Sequence, residues 1–182
     1  LEDIPGPALR LDSKLLRFVP PDTVALASIP NVGNTIGEAK RVFDEQLRES
    51  PVLQQWWNQA GAAKAQAEID EVLRWVQDLS AQLGDELLVA MNKQGPESAV
   101  ALAELRGSSL DAVLARHDAK IHHTVRNGIA IFSASADRLR LADALVAAGG
   151  APTTPFRERV AQSYQHGAGW LFALDLQAAP KL

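Results

Sequence analysis

The four histidines are the first residues whose type could support chemistry, since imidazole is a common metal ligand and general base. His117 ends a predicted helix, His122 and His123 are adjacent on a predicted strand, and His166 precedes a glycine. Side chains of adjacent strand residues point to opposite faces, so His122 and His123 cannot easily share one metal ion. A site that combines His117 with one of the two is the alternative, but no HxH or HExxH spacing supports it. We therefore predict no metal site.

Motifs that bind phosphate or activate a nucleophile are missing from the sequence. The stretch Gly33–Gly37 reads GNTIG, which has neither the GxGxxG nor the GxxxxGKS/T spacing. The chain has no cysteine, which excludes disulfides, zinc–thiolate sites and thiol nucleophiles. The carboxylates of Asp44 and Glu71 have the spacing of ordinary helix-surface ion pairs with Arg48 and Arg74. We predict no catalytic residue and no cofactor, and a hydrolase site between sheet and helices is the alternative.

Two adjacent tryptophans, Trp56 and Trp57, lie in a predicted helix. Neighbouring residues on a helix are about 100° apart, so we do not expect both rings to be fully buried. One ring can pack in the core while the other contributes to an aromatic surface for a protein, sugar or lipid. Trp56 and Trp57 are therefore the candidate binding residues, and helix–helix packing is the alternative.

Composition and charge narrow the classes of partner. The chain has 182 residues, of which 47% are hydrophobic, enough for a domain with a substantial core. Its net charge is −4, with acids and bases interspersed, which argues against nucleic acid as a partner. No apolar run reaches the roughly 18 residues of a membrane-spanning helix. The chain starts at Leu1 rather than at a methionine and stops at Leu182 directly after a predicted strand, so we expect it to be part of a longer polypeptide.

Local patterns predict an arm at residues 1–19, followed by a single domain at residues 20–182. The domain opens with a strand at 23–29, and a helix starts near Asn34 or Thr35. The predicted element order is one strand, three helices, a hairpin, a helix, a second hairpin, two helices and a last strand. Strands that lie mostly in hairpins indicate an α+β fold with an antiparallel or mixed sheet and with helices packed mainly on one face.

Asn127-Gly128 is the strongest hairpin signal in the chain, because both residues tolerate the backbone of a two-residue turn. A two-residue loop sets the register of the flanking strands. It predicts three cross-strand pairs: Val125 with Ala130, His123 with Phe132, and Ile121 with Ala134.

The strand that follows Thr23 has a counterpart near Trp170, about 147 residues later. That distance suits a duplicated domain, so the end of the chain is predicted to be the start of a second related module. An open edge at this terminal strand would invite pairing, which makes a homodimer one expectation.

The segments LRFVPPDTVALASIPNVGNTI and ESPVLQQWW together resemble a family of uncharacterised bacterial exported proteins. Modules of that family open with a P-x-D-T strand, then Pro-Asn and a long helix, and some accompany FecR-like envelope regulatory proteins. The matching residues here are Pro20, Asp22, Thr23, Pro30 and Asn31. The resemblance implies a place in the periplasm or at the cell surface and a non-catalytic role.

The leading hypothesis is a non-enzymatic extracytoplasmic binding or scaffolding module of a larger bacterial envelope protein. Its expected partner is another envelope protein or the rest of its own chain. The alternatives are the hydrolase described above and a protein-interaction domain that uses the helix of Trp56 and Trp57.

Overall fold

The structure is a computed structural model that describes residues 9–31, 33–52, 54–55, 62–116 and 121–178. Its described strands are β1 (Ala25–Pro30), β2 (Leu83–Met91), β3 (Val100–Leu105), β4 (His122–Arg126), β5 (Ile129–Ser133) and β6 (Leu171–Leu174). They form one antiparallel sheet in the order β4-β5-β3-β2-β1-β6. The α+β class and the antiparallel sheet are as predicted.

Five helices connect and cover these strands in the described part of the chain. The first two are long and form a helical hairpin between β1 and β2, and three shorter ones follow. Their bounds are α1 (Gly33–Glu49), α2 (Ala62–Ser80), α3 (Leu110–Arg116), α4 (Ala136–Ala147) and α5 (Pro155–Tyr164). Residues 51–52 and 54–55 are also helical.

The β4–β5 hairpin confirms the predicted turn. Asn127 and Gly128 have φ angles of 52° and 75°, the left-handed backbone that a two-residue hairpin turn requires. The third predicted pair, Ile121 with Ala134, lies beyond the ends of the strands. The other two pairs are confirmed: Val125 with Ala130 and His123 with Phe132.

The larger hydrophobic core lies on one face of the sheet, under α4, α5 and the segment that precedes β1. Alternate residues of the central strands supply its floor, as the two-residue period of a strand requires. Ser135 and Thr154 cap the two covering helices by accepting hydrogen bonds from Arg138 N and Arg157 N. The fully buried members with the largest side chains include Tyr164, Leu15, Leu88, Leu102 and Ile131.

A smaller core lies on the opposite face, beneath α3 and the end of α2. Phe132 and Ala103 of the sheet pack there with Leu110 and Leu114 of α3. Leu79 of α2 packs against the same cluster while remaining partly exposed. This second face is therefore covered at the β3–β5 side of the sheet.

Asn31 and Gly33 fasten the base of the helical hairpin. The Asn31 side chain donates to the backbone oxygens of Ser80 and Gly84, each at 2.8 Å, and accepts from Gly33 N at 3.2 Å. A Cβ on Gly33 would lie 2.3 Å from Ser80 Cβ, so only glycine allows this approach of α1 to α2. Asn31 of the Pro-Asn motif thus has a structural role.

The helical apolar pattern that follows residue 62 ends at Leu83, which predicts Gly84 as the C-cap of that helix, but the structure places Gly84 elsewhere. It lies inside β2, because α2 stops at Ser80 and the strand already begins at Leu83. A Cβ at Gly84 would come within 2.9 Å of Glu104 Cβ on the neighbouring strand. The glycine is therefore explained by close packing between strands at a register shift in the β2–β3 ladder.

Candidate functional site

Strand β6 forms one edge of the sheet, and β1 is its only neighbour among the described strands. The Asp175 N–H donates to Val24 O at 2.7 Å, which continues the β1–β6 ladder beyond Leu174. Backbone groups in an antiparallel ladder alternate between the two sides of a strand. Those of Leu171 and Ala173 therefore face β1, and the N–H and C=O groups of Phe172 and Leu174 face the open side.

The same edge exposes a row of large apolar side chains. Trp170, Phe172, Leu174 and Leu176 are 52%, 71%, 56% and 79% exposed. The rings of Trp170 and Phe172 stack with centroids 6.4 Å apart and an interplanar angle of 18°. Contiguous exposed apolar side chains on a folded protein mark an interaction surface more often than single ones do.

Small side chains next to this row make a shallow groove. Phe172 is in register with Ala27 of β1, and Leu174 is in register with Ala25. On the far side of β1, Ala27 is paired with Val89 of β2. Ala25 and Ala27 lie on the same face as Phe172 and Leu174. The small side chain of Ala27 therefore lies between the larger side chains of Phe172 and Val89.

The two edges of the sheet differ in charge. Edge strand β4 ends in Arg126, whose guanidinium donates two hydrogen bonds to Asp143, at 2.6 and 2.8 Å. Charged side chains at an edge strand discourage pairing with another strand. Residues 167–174, which lead into and form β6, include no charged residue. In the described part of the chain, the β6 edge thus combines backbone groups without partners and exposed apolar side chains, and it has no such protection.

The structure does not describe Trp56 and Trp57, the candidate binding residues of the sequence analysis. They fall in residues 56–61, outside the described part of the chain. Their role in binding stays a prediction. Pairing of two copies at the open edge of this terminal strand is one of the expectations from the sequence. The row of exposed side chains at Trp170, Phe172 and Leu174 is not, although their alternation is readable there.

The described histidines do not converge. His122 and His123 are paired with Ser133 and Phe132, on opposite faces, as predicted. The His123 ring lies 2.8 Å from Asp111 Oδ1, and its partner on β5 stacks 6.4 Å away. Among the described residues, no group of three or more His, Asp and Glu side chains is placed to hold a metal ion.

A buried polar cluster, which the sequence analysis missed, lies inside the larger core. The Glu86 carboxylate accepts hydrogen bonds from Ser13 Oγ at 2.7 Å, Ser28 Oγ at 2.6 Å and the Tyr164 hydroxyl at 2.5 Å. Arg10 Nε lies 4.0 Å from the same carboxylate. Glu86 lies two and four residues before the core residues Leu88 and Ala90 of β2, so the alternation of a strand places its side chain on the same face. This alternation was the signal in the sequence that could have predicted its burial.

Electrostatics within this cluster favour a structural role. Burial and the hydrogen bond to Glu86 raise the pKa of Tyr164 to about 12, so the phenol remains protonated near neutral pH. The Arg10 guanidinium also donates to Ser28 Oγ at 2.9 Å and to Gly169 O at 2.7 Å. The cluster thereby ties the segment before β1 to the sheet and to the chain that enters β6.

A cavity of about 460 Å³ opens at the end of β6, next to the P-x-D-T motif. The Asp22 carboxylate in its wall accepts hydrogen bonds from Arg138 at 2.7 Å and Asn92 at 2.9 Å. Burial alone would raise the pKa of Asp22, but these bonds and the Arg138 charge hold it below its usual value. Asp175, also in the wall, lies 3.5 Å from Arg159. These carboxylates already have cationic partners, which makes them poor candidates for proton transfer.

Comparisons of the chain with protein-family models, with curated proteins and with solved structures gave no match. The resemblance to exported bacterial proteins therefore stays a prediction. Across the described residues, no helix is both long and apolar enough to cross a membrane.

Proposed function

We propose that the chain is a non-enzymatic binding or scaffolding module that acts outside the cytoplasm, within a larger bacterial envelope protein. We place its binding surface at the open β6 edge. The observation that carries this proposal is the row of exposed apolar side chains beside backbone groups of Phe172 and Leu174 that have no partner among the described residues.

Addition of a partner strand is the binding mode that suits this edge. A strand that pairs with β6 would receive and donate main-chain hydrogen bonds at Phe172 and Leu174. Its alternate side chains would lie beside those of Phe172 and Leu174. The fitting partner is accordingly an extended segment with apolar residues at every second position.

Three sources of such a strand agree with this proposal. One is another protein of the envelope. A second is the remainder of its own chain, if β6 opens the second related module that the sequence predicts. A third is another copy of the same chain, joined at the sheet edge.

Selection from a displayed library tests the binding mode. Peptides of about ten residues, roughly twice the length of an ordinary strand, are selected on the 182-residue chain. We expect enrichment of peptides with alternating apolar residues, and binding should weaken at least tenfold in Phe172→Lys. Val125→Lys is the matched control, because Val125 is an apolar residue, 42% exposed, on the opposite edge strand.

Amide hydrogen exchange then locates the bound peptide. We expect the amides of Phe172 and Leu174 to become protected when a selected peptide binds, since they would donate to its carbonyl groups. Peptides that bind equally well to Phe172→Lys but are lost in Trp56→Ala or Trp57→Ala would refute the proposed edge and favour the tryptophan helix.

The proposed location has a separate test. Fractionation of cells that express the native protein should recover it in the periplasm or at the cell surface. Recovery in the cytoplasmic fraction alone would contradict an envelope role.

A further inference from the structure

We infer that the partner strand at the β6 edge is β6 of a second copy of the chain, and that the two strands pair antiparallel about a twofold axis. This inference rests on the proposed binding role of the edge and names its partner. It follows from the self-complementarity of the strand in hydrogen bonding, in side chains and in charge.

The hydrogen-bonding pattern restricts the register to pairings in which outward-facing residues lie opposite each other. Phe172 and Leu174 direct their backbone groups to the open side, and one such pairing sets Phe172 opposite Leu174 of the second copy. The twofold axis then passes beside Ala173, and the same pair recurs on its other side. Every outward N–H and C=O group of the two residues finds a partner in this register.

The side chains match in the same register. Phe172 meets Leu174 of the second copy on the exposed face, and Trp170 comes beside Leu176 of the second copy. All four large exposed side chains of the edge thus gain an apolar neighbour. A register shifted by two residues would centre on Phe172 and would place Leu176 opposite Ala168, which is already buried at 6% exposure.

Charge does not oppose the pairing. The stretch from Gly167 to Leu174 has no charged residue, so two copies bring no like charges together there. Asp175, the first charge beyond the strand, points to the other face and has Arg159 at 3.5 Å. The two six-stranded sheets would join into one continuous sheet.

The available area is close to what a specific interface needs. At about 150–250 Å² for each large side chain, the exposed fractions of Trp170, Phe172, Leu174 and Leu176 sum to about 500 Å² per copy. Two copies would bury at most about 1,000 Å², near the lower limit for specific protein interfaces. We therefore expect a reversible dimer whose population depends on concentration.

Cysteine trapping tests the register directly, because the chain has no cysteine of its own. Ala173→Cys places one thiol on each side of the axis, at a position where Cα atoms of facing strands lie about 4.5 Å apart. That separation lies within the range for a disulfide. We expect a covalent dimer on mild oxidation. Thr124→Cys, in the middle of edge strand β4, is the matched control and should stay monomeric.

Sedimentation of the 182-residue chain tests the association without any crosslink. We expect concentration-dependent dimerisation that weakens at least tenfold in Phe172→Lys and is unchanged in Val125→Lys. Equal trapping of Ala173→Cys and Thr124→Cys would refute the β6 pairing, because random collision would then explain the disulfide.

The outcomes also separate this inference from the proposed function. A chain that stays monomeric, is not trapped at Ala173→Cys and still binds selected peptides at Phe172 would overturn the second copy and keep the edge as a binding site. A chain that neither dimerises nor binds peptides there would overturn both.

Discussion

Replacement of Glu86 by glutamine tests the buried polar cluster most directly. Glu86→Gln keeps the shape of the side chain and removes its negative charge. Ser28 and Tyr164 donate to one carboxylate oxygen, at 2.6 and 2.5 Å, and Ser13 donates to the other at 2.7 Å. In the variant, an amide oxygen can keep the first two bonds, and the amide nitrogen replaces the acceptor that Ser13 uses.

The magnitude follows from the difference between charged and neutral hydrogen bonds. Bonds to a charged group contribute about 1.5–3 kcal/mol and neutral ones about 0.5–1.5 kcal/mol, so two retained bonds lose about 1 kcal/mol each. Arg10 Nε, which is buried and has no hydrogen-bond partner among the described residues, also loses the negative charge at 4.0 Å. We expect a total loss of about 2–4 kcal/mol, a large part of the stability of an ordinary domain.

Urea unfolding at pH 7, followed by circular dichroism, measures this loss for Glu86→Gln and for the matched control Asp85→Asn. Asp85 neighbours Glu86 on β2, but its side chain is 78% exposed, and its ion pair with Arg106 spans 2.5 Å at the surface. Exposed pairs contribute about 0–1 kcal/mol, so the control should unfold nearly as the wild type does. Equal losses in the two variants would refute the stabilising role of the cluster.

A double-mutant cycle adds a second criterion. Glu86→Gln combined with Tyr164→Phe should show a coupling of about 1 kcal/mol or more, because the two side chains share a 2.5 Å hydrogen bond. Hydrogen exchange at Arg10 and Ala168, whose N–H groups each donate to the other's backbone oxygen, should speed up in Glu86→Gln. Additive losses with unchanged exchange would contradict a tie between the arm and the sheet.

Three further changes test other parts of the fold. Tyr164→Phe removes a phenol whose pKa is raised from 10.0 to about 12 in the folded state. The stabilisation that this phenol gives the wild type is complete below pH 10.0, and it should fall by about 1.4 kcal/mol per pH unit between pH 10 and 12. Urea unfolding midpoints of the variant should not show this decline. Asp22→Asn should cost about 1 kcal/mol at pH 7, because Arg138 loses a charged acceptor that is half exposed to solvent. Since the folded-state pKa of Asp22 is lowered, the stabilisation is complete above pH 3.8 and lost as the pH falls through that lower pKa; unfolding curves of the two proteins should therefore converge in acid. Gly128→Ala should lower the free energy of unfolding by about 1–2 kcal/mol, measured by thermal unfolding. Because φ is 75° and an added Cβ would meet no atom within 4 Å, this loss comes from backbone conformation and not from a steric clash.

Local chemistry explains which parts of the fold could be predicted. The Asn127-Gly128 turn depends on two residues that tolerate positive φ, and this requirement is readable from the residues themselves. The same applies to Thr154-Pro155, where the threonine caps α5 and the proline occupies its first position. The pairing of the two strands that flank a hairpin turn can then be obtained by counting residues outward from the turn on both sides.

Distant contacts explain what could not be predicted. Gly84 has the spacing of a helix end, but its real constraint is Glu104 on another strand, 2.9 Å from where a Cβ would lie. Glu86 has the appearance of a surface acid at a strand start, and only the fold brings Tyr164 and Ser13 to it. Partners at such sequence separations leave no local pattern.

The motif residues that carry the resemblance are used to hold the fold together. Asp22 binds Arg138 and Asn92, and Asn31 joins α1 to the end of α2. Residues occupied in this way have little free capacity to recognise a ligand, so the role of Asp22 and Asn31 in this fold is structural.

In our proposal, the recognition surface lies where the folded chain leaves groups without partners. Within the described residues, the β6 edge has both unpaired backbone groups and exposed apolar side chains at Phe172 and Leu174. A surface of this kind would select partner segments by their extended shape and by apolar residues at every second position. Many sequences can provide these features, so no dedicated chemical motif is needed. A strand-binding module of this kind would show no catalytic pattern in its sequence, because its specificity lies in register and in the spacing of apolar residues.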